Sequence, residues 1–357
     1  MKNLILLLII LFVMGNCSEK SDPIADIFRN YHGENPGVAV AIIENGKVIY
    51  HQSFGMAELE TKRQVQTNTN FRLASVTKQF TATAILVLEK EGLIDLDWTL
   101  DQIFEDFPEY GKGIQIHHLL NHTSGIWDYE DFIPDSALIT PVRDQGVLEI
   151  IQKIDQTYFP AGEQFRYSNT AYALLALMVE KYSGHEFPEF LEENIFKPLG
   201  MNHTLAHIKN INTVSDRAFG YSWENDHWVL KDQSSTSAVL GDGGIYSNVP
   251  DLFLWDQALY QGNILPLETI ERTFLRAKLN DGSDIDYGIA WHIKEFKGEK
   301  VVYHTGSSTS FRNIFYRIPT QNLSIIILSN RNEPEEEEMV TLAEDILFKF
   351  LIESKMD

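Results

Sequence analysis

Ser75 and Lys78 stand three residues apart in Ser75-Val76-Thr77-Lys78. One helical turn would separate them by about 4.5 Å along the axis and face both into one pocket. A serine hydroxyl is a poor nucleophile at neutral pH until a neighbour removes its proton. A lysine can do so only where burial or a nearby cation lowers its pKa enough to leave the amine neutral. At a helix start the serine would also have free N–H groups and the positive end of the dipole behind a developing oxyanion. Alone, the pair carries little weight. A Ser-x-x-Lys arises by chance on the order of once in a chain of this length, and two solvated helix residues are the simpler account.

Two further groups have chemistry that would complete it. Tyr167 and Asn169 lie in Phe165-Arg166-Tyr167-Ser168-Asn169-Thr170. A phenol near a cationic lysine can become a phenolate and relay protons, and an amide can hold both a substrate carbonyl and the lysine. The same run precedes an apolar helical stretch, for which Asn169 or Thr170 would be an ordinary N-cap. His304-Thr305-Gly306 closes a strand-like run. Gly306 there would let a substrate backbone lie against the edge, although an ordinary strand end looks the same.

The elements that must position these residues follow from the apolar pattern. Residues 24–31 fit a short helix, and 37–43 and 47–52 fit two strands joined by Glu44-Asn45-Gly46, a strong hairpin signal. From Ser75 to Glu91 the period is helical, with Gly92 as C-terminal cap. Residues 93–240 carry further helical stretches, notably 171–182 and 187–196, broken by Pro160, Pro188 and Pro198. Strand-like runs return at 287–293, 301–304, 313–318 and 324–329, and an amphipathic helix runs to about Ile352 after Pro334 and the acids Glu335 to Glu338. The order predicts an α/β (α+β) fold. An α/β layer takes its strands from residues 24–92 and 241–352, with a mostly helical domain, 93–240, inserted between them. A cleft between the parts is the natural place for a site.

Ser75-x-x-Lys78, Tyr167-x-Asn169 and His304-Thr305-Gly306 resemble, in order and approximate spacing, the three motifs of class C β-lactamases, penicillin-binding D-alanyl-D-alanine carboxypeptidases and related esterases. The flanking strings Phe71-Arg72-Leu73-Ala74-Ser75, His118-Leu119-Leu120-Asn121-His122-Thr123-Ser124-Gly125, Pro198-Leu199-Gly200-Met201 and Gly243-Gly244-Ile245-Tyr246-Ser247 are similar to that family too. The resemblance covers residues 24–352 and implies an antiparallel sheet flanked by helices with an inserted mostly helical domain, and an acyl-enzyme mechanism on an amide or ester: a D-amino-acid peptide, a β-lactam or an ester. It implies that Ser75 is acylated, that Lys78 and Tyr167 shuttle its proton, and that Asn169, His304, Thr305, Gly306 and Ser307 bind substrate. The oxyanion would lie between the backbone N–H groups of Ser75 and Ser307. No metal or organic cofactor is implied. One departure matters, because the third motif of β-lactamases usually begins with lysine. His304, with an ordinary pKa of about 6.5, is mostly neutral at pH 7 and lacks that fixed charge. This moves the expectation from β-lactam hydrolysis towards esterase, amidase or D-amino-acid peptidase activity. The alternative is a penicillin-binding or peptidoglycan-sensing module with little turnover.

The bulk properties agree with a globular hydrolase. The 357 residues are 44% hydrophobic, and 51 Asp and Glu against 29 Lys and Arg give a formal charge of −22. A surface this acidic repels phosphate backbones and anionic headgroups, which disfavours a nucleic-acid partner. Met1-Lys2-Asn3, an apolar run to Met14 and Gly15-Asn16-Cys17 read as a secretory signal peptide, 1–17, too short to span a bilayer. The single cysteine, Cys17, resembles a bacterial lipoprotein cleavage site, where lipidation would anchor the chain at the cell envelope through a polar tether, 18–23; residues 353–357 would be a short tail. An incidental cysteine beside an ordinary cleavage site is the other reading. The pairs His118/His122 and His203/His207 have a helical metal-ligand spacing but no His-Glu-x-x-His glutamate, and structural hydrogen bonding is expected of them. Gly241-Asp242-Gly243-Gly244 reads as a turn bordering the cleft, Glu335 to Glu338 as a solvated helix start, and Trp127, Tyr129 and Tyr246 as aromatics that pack or line the cleft.

Overall fold

Apolar runs that read as buried strands, Val38-Ala39-Val40-Ala41-Ile42-Ile43 above all, form the centre of one antiparallel sheet. The computed structural model describes residues 22–133 and 140–353, and of 351–353 the backbone alone. The segment expected to be a signal peptide, with Cys17, most of the expected tether and the end of the expected tail lie outside the described residues. The sheet contains β1 (Val38–Glu44), β2 (Lys47–Phe54), β3 (His292–Phe296), β4 (Glu299–Ser308), β5 (Phe311–Ile318) and β6 (Leu323–Ser329), in the order β3-β4-β5-β6-β1-β2. The two ends of the chain meet at its middle, where β1 pairs β6 from Val38↔Ser329 to Glu44↔Leu323. Asn45 and Gly46 both take positive φ, 51° and 73°, and give the tight turn that their sequence predicts between β1 and β2.

Alternate residues of each strand serve two separate cores, which is why these strands read as apolar almost throughout. Ala39, Ala41, Ile43, Phe315, Ile326 and Leu328 face one helical layer. It contains α1 (Lys78–Lys90), α2 (Asn169–Ser183) and α3 (Val249–Gln261). Val38, Val40, Ile42, Ile314, Ile325 and Ile327 face Phe28 and the final helix, α4 (Glu338–Glu353), through Met339, Ala343 and Ile346. Arg317 of β5 and Asp256 of α3 tie sheet to helix by a fully buried ion pair at 2.8 Å, and Ser324 Oγ donates to the same carboxylate oxygen.

Three stretches differ from the sequence reading. Residues 93–240 carry helix only as far as Leu199; beyond it Leu205–Ala206 pairs with Ile245–Ser247, and Tyr221–Glu224 and His227–Leu230 form a hairpin. Asn225 and Asp226, at φ 47° and 64°, make its turn, a weaker local signal than Asn45-Gly46 because neither residue is glycine. The strand expected from Tyr287 starts at His292, because the chain reverses so tightly over 287–291 that Tyr287 bridges His292 itself. Here the Gly288 backbone is pressed on the Thr273 carbonyl oxygen, 2.2 Å from where a Cβ would sit. The last helix begins at Glu338, leaving Glu335 to Glu337 in a turn.

Candidate active site

Ser75 sits on a 3-10 turn, Ala74–Thr77, between the short strand Phe71–Arg72 and α1. The reading of one continuous helix from Ser75 is corrected by this turn, and the geometry gains from it. At three residues per turn, side chains at i and i+3 eclipse, so Lys78 Nζ meets Ser75 Oγ at 3.0 Å. Ala74 holds the entry with φ 49°, an uncommon conformation for alanine of the kind that clusters at reactive sites.

Lys78 is 0% exposed, and its three donors are all used, on Ser75 Oγ, on Asn169 Oδ1 at 2.8 Å and on the Asp242 carbonyl oxygen at 2.9 Å. Burial lowers its pKa to about 8, against the opposing pull of Asp242, Asp128, Glu130 and Glu336. Asn169 opens α2; its N–H donates to Asp128 Oδ2 at 2.8 Å, while Ser168 caps the helix by accepting from Ala171 N–H. The Gly241–Gly244 turn does border the site. Asp144 accepts from the N–H groups of Leu240 and Gly241, which fixes the turn, and Tyr129 Oη donates to Asp242 Oδ2 at 2.9 Å.

Tyr167 lies with its ring centroid 4.9 Å from Lys78 Nζ. Its hydroxyl is buried beside Ser75, and burial pushes the phenol well above its ordinary range, with the Ser75 hydroxyl offsetting part of the rise. The phenol therefore keeps its proton at neutral pH, and Lys78 is the better base of the two. Three histidines pack round this ring. His122 is 4.2 Å away, centroid to centroid, His304 6.1 Å and His292 6.3 Å. Burial holds His122 and His304 well below the usual histidine range and His292 at about 4, so all three are neutral.

The third motif is brought to Ser75 by Gly306. A Cβ there would lie 2.1 Å from the Leu73 carbonyl oxygen, so the Ser75 turn rests directly on β4, and Asn313 Nδ2 holds the same turn through the carbonyl oxygens of Arg72 and Leu73. Pairing of β3 with β4 stops at His292↔Tyr303, which leaves the β4 edge from His304 to Ser308 without a strand beside it among the described residues. Ser307 follows Gly306 on this free edge, half-buried. His304 and Thr305 are placed differently from a pair of open ligand-binding groups. His304 is 1% exposed, its Nδ1–H donating to the Thr305 carbonyl oxygen at 2.7 Å and its Nε2 accepting from Tyr287 Oη at 3.0 Å. Thr305 Oγ1 donates to Glu336 Oε1 at 2.6 Å.

Asp128, Glu130, Asp242, Tyr287 and Glu336 are site residues that the sequence reading gave no role. A signal existed for Asp242, inside a string already singled out, and for Glu336, inside the acidic run. The other singled-out residues do structural work. His118 Nδ1 accepts from Gln115 N–H in a helix cap, that helix ends at Leu120 before His122, and His207 Nδ1 bonds Asn212. Tyr246 Oη accepts from Arg217, and Trp127 stacks on Tyr158.

A serine hydroxyl contacted by a buried lysine of lowered pKa, with a phenol, an amide and a strand edge beside it, has the set of groups that the active-serine acyl-transfer class uses. Residues 24–347 match the family model described as Beta-lactamase, and the chain belongs to that family of serine hydrolases, which work through an acyl-enzyme on amides or esters. It is 35% identical over 328 residues, 87% of this chain and 72% of the relative, to penicillin-binding protein 4* of Bacillus subtilis (strain 168). A D-aminopeptidase of Brucella anthropi is 27% identical over 84% of this chain, which spans 57% of that relative. Among solved structures, the octameric penicillin-binding protein homologue from Pyrococcus abyssi superposes with a TM-score of 0.78 at 27% identity, covering 92% of this chain and 76% of its own.

Proposed function

We propose that the chain hydrolyses amides or esters of D-amino acids through an acyl-enzyme on Ser75. The observation that carries this reading is the Lys78 Nζ to Ser75 Oγ contact at 3.0 Å with the lysine pKa down at about 8. At pH 7 roughly a tenth of such a lysine is neutral. Neutral Nζ takes the Ser75 proton as Oγ attacks the carbonyl carbon, giving a tetrahedral oxyanion beside the Ser75 turn. On collapse the C–N or C–O bond breaks and the leaving atom takes a proton from Tyr167, which recovers it from the Lys78 ammonium. Water then attacks the ester, Lys78 accepts its proton and passes it to Ser75 Oγ as the C–Oγ bond breaks, and Ser75 is released with the free acid. The neutral His304 and the name of the D-aminopeptidase relative support D-amino-acid amides over β-lactams.

A panel of a D-amino-acid p-nitroanilide, an aryl ester, a D-Ala-D-Ala peptide and a chromogenic cephalosporin, run with native protein and Ser75→Ala, tests the reading. Ser75-dependent turnover of the first two supports it, and turnover of the cephalosporin alone overturns it. The name of the Bacillus relative favours a second reading, a penicillin-binding module that acylates and releases slowly. A stable adduct without sustained product would select it. We also propose export and lipid attachment at Cys17; incorporation of labelled palmitate that is equal in Cys17→Ser would refute it.

A further inference from the structure

His122 stands where glycine is the usual choice. The short helix Ile116–Leu120 is capped by Asn121, and the next residue takes the left-handed conformation, φ 61°, in which a Cβ is disfavoured. The chain nonetheless has a full imidazole there, 0% exposed. A strained position that keeps a large buried polar side chain directs attention to what that side chain touches.

It touches Tyr167 and the backbone on both sides of it. The His122 carbonyl oxygen accepts from Arg166 N–H at 2.9 Å, and Nδ1 accepts from Ser168 N–H at 3.1 Å. Ser168 is the N-cap of α2, so its own N–H has no place in the helix ladder and needs an acceptor from outside. The His122 ring lies against the Tyr167 ring, their centroids 4.2 Å apart. A neutral imidazole that accepts at Nδ1 carries its proton on Nε2. That nitrogen is buried with no hydrogen-bond partner among the described residues, and Tyr172 and Tyr287 are further aromatic neighbours of the ring. The side chain therefore supplies one acceptor and a packing wall, with no path for relaying a proton itself.

We propose that His122 is a positioning residue for proton transfer to the leaving group: by accepting from the N–H that follows Tyr167 and packing on the Tyr167 ring, it holds the phenol hydroxyl beside Ser75. The inference rests on the hydrolase reading above and adds a residue to the same site.

The test uses D-alanine p-nitroanilide and D-alanine p-nitrophenyl ester, which share an acyl group and differ in whether the leaving atom needs a proton. His122→Gly suits the left-handed backbone and removes ring and acceptor together. It should lower kcat/KM for the anilide at least tenfold and raise the ester-to-anilide ratio at least fivefold. His122→Asn also tolerates that backbone and places Oδ1 near the position of Nδ1, so it should bring the ratio back at least twofold. In a Tyr167→Phe background neither substitution should move the ratio further, because the group they position is gone. A ratio unmoved by both substitutions in the native chain, or moved as far again in Tyr167→Phe, would show a merely structural residue and overturn the proposal. Where His122→Gly does not fold, His122→Asn, expected to raise the ratio about twofold over the native chain, completes the same cycle and decides in the same way. Failure of the hydrolase reading is distinct, since neither substrate would then be turned over in a Ser75-dependent way, and the proposal would fall with it.

Discussion

Replacing Asp242 by Asn should make the lysine a better base at neutral pH. Lys78 sits at about 8 because burial lowers it from 10.5 while four carboxylates, led by Asp242, pull it back. The isosteric amide keeps an acceptor for Tyr129 Oη and the backbone carbonyl oxygen that receives Lys78, and removes only the charge. At an effective dielectric near 20, a neighbouring unit charge is worth on the order of 2 to 4 kcal/mol, or about 2 pK units. Asp242, itself raised to about 7 by burial, is about half ionised at pH 7, so the expected drop is roughly 1 to 2 units. Neutral Lys78 at pH 7 would rise from about a tenth to half or more. The assay is kcat/KM for an aryl ester from pH 5.5 to 9.5, which reports ionisation in the free enzyme, with each variant scaled to its own alkaline plateau. Native protein should show an ascending limb centred near pH 8. Asp242→Asn should shift that limb down by about a unit or more. A limb that stays in place, or moves up, would refute the assignment of Lys78 as the base.

Tyr167→Phe should lower kcat/KM by about 10- to 100-fold with amide substrates and less with aryl esters, whose leaving groups need no proton, while leaving the ascending limb where it was. Gly306→Ala would place a methyl 2.1 Å from the Leu73 carbonyl oxygen and displace the Ser75 turn. It should cost about 1 to 3 kcal/mol in denaturant unfolding and most of the acylation rate, whereas Gly33→Ala, with open space around it, should leave acylation intact. Asp256→Ala strands the fully buried Arg317 and should cost about 3 to 5 kcal/mol in the same unfolding assay, with Ser75 still labelled in the protein that remains folded.

Much of this fold is written locally. Asn45-Gly46 and the double-sided apolar runs of β1 and β6 mark the sheet, and Ser75, Lys78, Tyr167, Asn169 and Gly306 lie in three short strings that the structure brings to one point. What was not legible depends on contacts between distant segments. Nothing near His304 in sequence says that Tyr287 and the Thr305 carbonyl will take both ring nitrogens. Nothing in the acidic run shows that one of its members turns inward to β4. The strand expected over 287–291 failed because periodicity cannot register a reversal set by the close approach of Gly288 to Thr273. The helical reading of 93–240 overlooked two turn residues, Asn225 and Asp226, that are local signals in their own right.

Intact-mass analysis after reaction with a fluorophosphonate or a slowly released aryl ester tests the central claim most directly. A single adduct is expected, mapped to Ser75, absent from Ser75→Ala and formed at least 100-fold more slowly in Lys78→Ala, as loss of a paired base implies. Adduct formation at an equal rate in Ser75→Ala, or its mapping to another residue, would contradict the account.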